Sequence, residues 1–220
     1  MARQARSGVT RRKIVIAAVD LFSEIGYPAT GLGDIIQRAE LTKGALYYHF
    51  DSKESLAEAI IDECGASILA TFRTITESSS PALENIVHGL FVVADFAGSD
   101  KTARIGMQVI RTFTGINDAA GRVYASWLAE LTEQVEQAAA EGDLRADIDA
   151  KGAAEIILGA MLGAETLSSA TANGADLRQR VSRTWELLLP AIVSAESLAY
   201  FREFLAREAL RRSPTPALEP

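Results

Sequence analysis

The chain has 220 residues, about half of them apolar, with 29 acidic and 22 basic side chains and a formal charge of −7. That is enough apolar material for a substantial core. No run approaches the 18 or more apolar residues of a membrane-spanning helix, and the basic N-terminus lacks the apolar core and cleavage site of a secretory signal.

Cys64 is the only cysteine, which excludes an intrachain disulfide framework and fits a reducing cytoplasm. With only His49 and His88 beside it, a zinc site lacks ligands, and no cofactor is implied. Residues 1–50 carry seven basic residues (Arg3, Arg6, Arg11, Arg12, Lys13, Arg38, Lys43) against four acids, a local +3 that leaves −10 on the remaining 170. A basic head on an acidic body can present the head to a polyanion while the body is repelled from it.

The first helix is expected to begin between Ser7 and Thr10 and to end at Gly26, with Ile14, Ala18, Leu21, Phe22 and Ile25 as its buried stripe. Arg3 and Arg6 precede it as an arm able to reach backbone phosphate or the minor groove. Tyr27–Thr30 is a turn, and Leu32, Ile35, Ile36 and Ala39 follow the i, i+3, i+4, i+7 pattern of a second helix. The corner Ala39-Glu40-Leu41-Thr42 is tight. Thr42 has N-cap chemistry, and Leu46 and Phe50, one turn apart, anchor a third short helix. Tyr47, Tyr48 and His49 cannot all share that buried face, so this helix offers backbone N–H groups, Lys43 and aromatic polar atoms to a partner. The pair reads as a helix-turn-helix, whose second helix enters a DNA major groove.

Ser52 caps a fourth helix that runs to about residue 75 on Leu56, Ile60, Ile61, Ile68 and Phe72, with Gly65 marking a bend or close packing. Glu77–Pro81 is a loop. The next helix carries Leu83, Ile86, Val87, Leu90, Phe91 and Ala94 and stops near Gly98-Ser99-Asp100; a shorter one carries Ile105, Val109 and Ile110. His88 reads as a surface or core-edge histidine. From Asp118 to Ala140 the stripe Val123, Tyr124, Trp127, Leu128, Leu131, Val135 is strong. Asp147-Ile148-Asp149 opens a helix over about 150–170, whose Gly152, Gly159 and Gly163 are costly without close packing or ligand space. Leu177, Val181, Trp185, Leu188 and Ile192 form the last long segment, Pro190 bends it or separates a final helix near 195–211, and a tail follows. The fold class is therefore all-α, nine or ten helices with no strand.

Residues 10–56 resemble the N-terminal domain of the tetracycline-repressor (TetR) family of bacterial transcriptional regulators. The resemblance is carried by Phe22, Gly26, Tyr27, Thr30, Ile35, the run Thr42-Lys43-Gly44-Ala45-Leu46-Tyr47-Tyr48-His49-Phe50, and Lys53, Glu54 and Leu56. It extends more weakly toward the γ-butyrolactone (autoregulator) receptors of filamentous actinobacteria. Two positions depart from the pattern: Gly31 stands where a hydroxyl usually caps helix two, and Glu40 where the corner usually has glycine.

The resemblance implies a helix-turn-helix domain over 1–52, a ligand-binding and dimerisation domain over 53–212 and a flexible tail over 213–220. It implies DNA contacts at Thr42, Lys43, Tyr47, Tyr48, His49 and Lys53, with Tyr48, His49 and Lys53 on the DNA backbone and Lys43 and Tyr47 on groove or phosphate. It implies a homodimer on inverted-repeat operator DNA, released by a lactone-type small molecule that packs on Trp127. An apolar sleeve for such a ligand would draw on Phe72, Phe91, Met107, Leu131, Met161 and Leu162, with Gln108 and Glu165 at its polar end. A repressor answering a different drug or metabolite, and a helical ligand-binding dimer without DNA binding, remain alternatives. No phosphate-binding glycine loop, zinc spacing or nucleophile elbow points to an enzyme.

Overall fold

The structure, a computed structural model, describes residues 2–78 and 80–211, with side chains from Ser7 onward. The expected tail at 213–220 and the side chains of Arg3 and Arg6 lie outside the described residues. Ten helices are described: α1 (Ala2–Ile25), α2 (Leu32–Arg38), α3 (Lys43–Tyr47), α4 (Lys53–Thr76), α5 (Ala82–Ser99), α6 (Lys101–Phe113), α7 (Asp118–Ala140), α8 (Ala150–Ala172), α9 (Leu177–Ile192) and α10 (Leu198–Leu210). Among the described residues the only strand-like pairing is a single bridge between Leu144 and Val193.

The chain divides into two compact units, residues 1–67 with 100–123, and residues 68–99 with 124–220. The packing boundary thus falls within α4 and α7 and is distinct from the functional division expected at residue 52. In the first unit α1 packs on α2, α3 and α6. Ile14, Ala18, Leu21, Phe22, Ile35, Leu46, Phe50, Leu56, Ile60 and Ile61 are buried there. Tyr27 meets Phe22 and Phe113 edge-on, with ring centroids 5.2 and 5.0 Å apart, the preferred aromatic geometry.

Two expectations for α1 are corrected. The helix starts at Ala2, not between Ser7 and Thr10, so the backbone of Arg3 and Arg6 is helical rather than a preceding arm; Ala, Arg and Gln are strong helix formers and supply no stop signal. Ile25 is half exposed rather than buried, because the chain turns away immediately afterwards through Gly26 at φ 82.

Close backbone approach shapes the middle of α4. A Cβ built on Gly65 would lie 2.6 and 2.8 Å from the Val123 methyls, and one on Gly106 2.5 Å from Cys64 Sγ. Gly65 therefore serves close packing. Ion pairs Arg11–Glu63 and Lys101–Asp20 join α1 to α4 and α6.

In the second unit α9 is central and packs on α5, α8 and α10. Fully buried Trp185 sits in one apolar cluster with Phe72, Phe91, Leu131, Val135, Ile157, Val181 and Phe201. Asp149 Oδ2 accepts from Gly152 N–H at 2.9 Å to start α8, and Asn173 at φ 51 ends it. Pro190 falls in the last turn of α9, where the carbonyl it leaves unpaired belongs to exposed Glu186. Of the α8 glycines, Gly152 packs against its Asp149 cap, whereas nothing lies within 4 Å of a Cβ built on Gly159 or Gly163. Both are exposed in one stripe with Ile156 and Leu167.

Candidate functional site

Thr42 is extended (φ −86, ψ 155), and its Oγ1 accepts from Ala45 N–H at 3.2 Å, which starts α3 where its spacing predicted. Buried Leu46 and Phe50 fasten the inner side. Lys43, Tyr47 and Tyr48 are exposed, the two tyrosines at 42% and 75%. Lys43 Nζ lies 5.7 Å from the Tyr47 ring centroid, and the Tyr48 ring meets His49 edge-on at 5.0 Å. The short helix and the turn after it thus present an ammonium, two exposed phenols and a half-buried imidazole, the donor chemistry that phosphate and base edges accept.

The corner before α3 holds despite the missing glycine. Glu40 takes φ 54, the left-handed conformation glycine would adopt without a Cβ penalty. At the start of α2, Gly31 offers no side-chain cap, and the reciprocal bond stands in: Gly31 N–H donates to Asp34 Oδ2 at 2.9 Å.

Lys53, expected on backbone phosphate, is engaged within its own chain. Its Nζ donates to the carbonyls of Tyr27 (3.1 Å), Pro28 (3.4 Å) and Thr30 (3.0 Å), and lies 4.4 Å from the Tyr27 ring centroid. The Tyr27 hydroxyl donates to Glu54 at 3.4 Å; burial first, and then the Glu54 carboxylate, push the phenol up to about 12. Glu54 is held below the usual carboxylate range by its own backbone N–H first, with the Ser52 and Tyr27 hydroxyls and Lys53 adding.

Other head charges are also committed internally. Arg38 grips Glu24 with two bonds of 2.9 and 2.7 Å, and this pairing lowers the Glu24 carboxyl. Arg11 pairs with Glu63 and lies 5.4 Å over Phe50. A charge count along the sequence cannot register such pairings: the net +3 stands, because Glu24 is already counted and the outside partners Glu63 and Lys101 offset each other, but Arg11 and Arg38 already have carboxylate partners.

The nine candidate ligand residues are distributed over both units. Met107, buried, and Gln108, exposed, stand on α6 in the first unit, whereas the other seven belong to the second. There Phe72, Phe91 and Leu131 share the buried cluster and partly buried Met161 packs against it. Trp127 is buried and meets Tyr124 edge-on at 5.8 Å; Leu162 and Glu165 are partly buried on α8. Phe91 is additionally covered by the Arg178 guanidinium at 4.7 Å, which sequence periodicity gave no means to foresee.

A cleft of about 330 Å³ in the second unit is lined by none of these nine residues. Its walls include Thr74, Asn85, His88, Phe204, Glu208 and Arg211. Its polar groups bond one another: His88 Nδ1 to Glu208 at 2.8 Å, Arg211 to Glu208 at 3.0 Å, and Ser78 Oγ to Asn85 at 2.7 Å.

Residues 14–60 match the family described as bacterial regulatory proteins, tetR family, and residues 111–185 match the tetracyclin repressor-like C-terminal domain. The A-factor receptor protein of Streptomyces griseus is 32% identical over 202 residues, which span 92% of this chain and 70% of that protein. IcaR of Staphylococcus aureus, the negative transcriptional regulator of the biofilm operon icaADBC, is 48% identical over 52 residues, 24% of this chain and 28% of that protein. A gamma-butyrolactone receptor (ArpA-like protein) superposes with a TM-score of 0.76 at 25% identity, over 93% of this chain and 98% of that one. CprB from Streptomyces coelicolor, solved with its operator sequence, gives 0.71 at 26% identity over 92% and 97%.

Proposed function

The chain belongs to the TetR family of bacterial regulatory proteins, and on that premise we propose that it is a cytoplasmic, homodimeric repressor that leaves its operator when a small lactone-type signal binds. The observation that carries the reading is the outward surface of α3 and the turn after it, where Lys43 and Tyr47 stand on a helix capped by Thr42, exposed Tyr48 and half-buried His49 follow, and buried Leu46 and Phe50 anchor the inner side. Two such surfaces related by a two-fold axis call for inverted half-sites about one DNA turn, roughly 34 Å, or a multiple apart. The exposed α8 stripe Ile156, Gly159, Gly163, Leu167, with exposed Leu187 on α9, supplies a self-complementary surface for that dimer. No catalytic step is needed, because promoter occupancy is the output.

Residues 1–52 would then read DNA and 53–212 receive the ligand and dimerise. Trp127 would form one wall of the receptor pocket, with Phe72, Phe91, Leu131, Met161 and Leu162 as its apolar lining. Support for coupling comes from α7 itself: Trp127 lies one helical turn beyond Val123, whose methyls rest on Gly65 of α4. Displacement of the Trp127 ring would press along α7 onto the helix that begins beside the reader.

The test is a paired titration of wild type and Trp127→Ala, reading promoter binding by mobility shift, release by γ-butyrolactone or butenolide, and melting temperature. Retained promoter binding with a release concentration raised at least tenfold is expected, and coupling must be reciprocal, operator DNA weakening ligand binding. A lowered melting temperature with unchanged ligand affinity would return Trp127 to the core. Release by flat cationic drugs but not by lactones would move the protein to a drug-responsive repressor, and no shift of promoter DNA would leave a ligand-binding dimer.

A further inference from the structure

We infer that Lys53 is a positioning residue that clamps the turn before α2 to the first residue of α4, and that its ammonium does not bind DNA phosphate. The inference rests on the DNA-reading role proposed above. An ammonium has three N–H donors and no acceptor. Here three carbonyls converge on Nζ at 3.0, 3.1 and 3.4 Å, so each N–H has a protein acceptor, and the Tyr27 ring face closes a further side.

The three carbonyls belong to Tyr27, Pro28 and Thr30, the residues that carry the chain from α1 into α2. This turn needs an external tie. It ends at Gly31, which has no side-chain oxygen to cap α2, and its Thr30 hydroxyl is spent on Gly26 O at 2.8 Å. Lys53 supplies a donor to the Pro28 and Thr30 carbonyls and a second one to Tyr27 O, which also accepts from Thr30 N–H at 3.3 Å, and because it is the first residue of α4 the tie joins α4 to the position of α2. A shift of α4 would then carry the N-terminus of α2 with it, which connects ligand-driven movement of α4 to the reader.

The geometry also separates the two roles experimentally. One tetrahedral nitrogen can serve three convergent carbonyls, whereas a guanidinium spreads its five donors in a planar fork suited to phosphate. Full-length Lys53→Met and Lys53→Arg variants are compared with wild type by thermal melting and by operator titration over a range of salt concentrations. The clamp predicts that both variants melt several degrees lower and bind operator about tenfold more weakly, with the slope of log affinity against log salt unchanged. A phosphate contact predicts the opposite: unchanged melting in both, wild-type affinity in Lys53→Arg, and a salt slope reduced by about 0.9 in Lys53→Met. That pattern, or restoration of either melting or affinity by arginine, overturns the clamp. Wild-type protein that shifts no promoter DNA would sink the repressor reading, and the melting comparison alone would still decide the clamp.

Discussion

Replacing Gly65 with alanine isolates the closest approach of α4 to α7. In an open helix the change stabilises by about 0.5–1 kcal/mol, because glycine loses more backbone freedom on folding. At Gly65 the new methyl would stand 2.6 and 2.8 Å from the two Val123 methyls and 3.2 Å from its Cβ. Carbon atoms rest at about 3.5–4.0 Å, so the neighbour must retreat by roughly an ångström. Val123 is buried and β-branched, with one favoured rotamer on a helix, so it cannot swing aside cheaply. Overpacking of this kind costs about 1–3 kcal/mol, which after the propensity gain leaves a net loss near 1–2 kcal/mol. For a chain of this size that corresponds to about 2–8 °C in Tm. Gly121→Ala is the control: it lies on α7 with nothing within 4 Å of its added Cβ, and should melt at or above wild type. Adding Val123→Ala to Gly65→Ala should restore most of the loss, a coupling of at least about 1 kcal/mol in a double-mutant cycle. Gly65→Ala melting as high as Gly121→Ala, or no coupling to Val123, would refute the argument.

Two further substitutions probe the proposed dimer and the reader's corner. Gly163 is exposed and a Cβ built there meets nothing within 4 Å of its own chain, so Gly163→Leu should leave the isolated fold intact and act where a second copy packs; sedimentation should show a weakened dimer and operator titration a matching loss, and an intact dimer with normal affinity would remove Gly163 from the interface. Glu40→Gly relieves a left-handed residue at φ 54, worth about 1 kcal/mol, and removes an acid from the corner before α3. It should melt higher and bind operator more tightly, whereas a variant less stable than wild type would mean that the Glu40 side chain contributes more than its backbone strain costs.

Where this fold was legible in the sequence, the signal lay in short-range chemistry. Thr42 and Asp149 are caps because a side-chain oxygen reaches an N–H three residues on, a geometry contained within four residues. Helix α7 begins at Asp118 and ends at Ala140 as its stripe and the flanking Gly142 indicate, for the same reason. The start of α1 was not legible, because Ala, Arg and Gln before Ser7 neither stop a helix nor require one.

The candidate site was less legible, because an apolar stripe tells which face of a helix is buried but not against what. Met107, named as a sleeve candidate, is buried in the first compact unit, and six other sleeve and wall candidates belong to the second. Lys53 sharpens the point. A lysine beside a DNA reader has the chemistry of a phosphate contact at every level that sequence can express: charge, position in the first turn of α4, and distance from α3. On the clamp proposed above, what redirects it is the convergence of three carbonyls from residues 23 to 26 positions earlier. That convergence exists only once α1, α2 and α4 are packed, and a missing side-chain cap at Gly31 is the single local hint that the turn would recruit its partner from elsewhere.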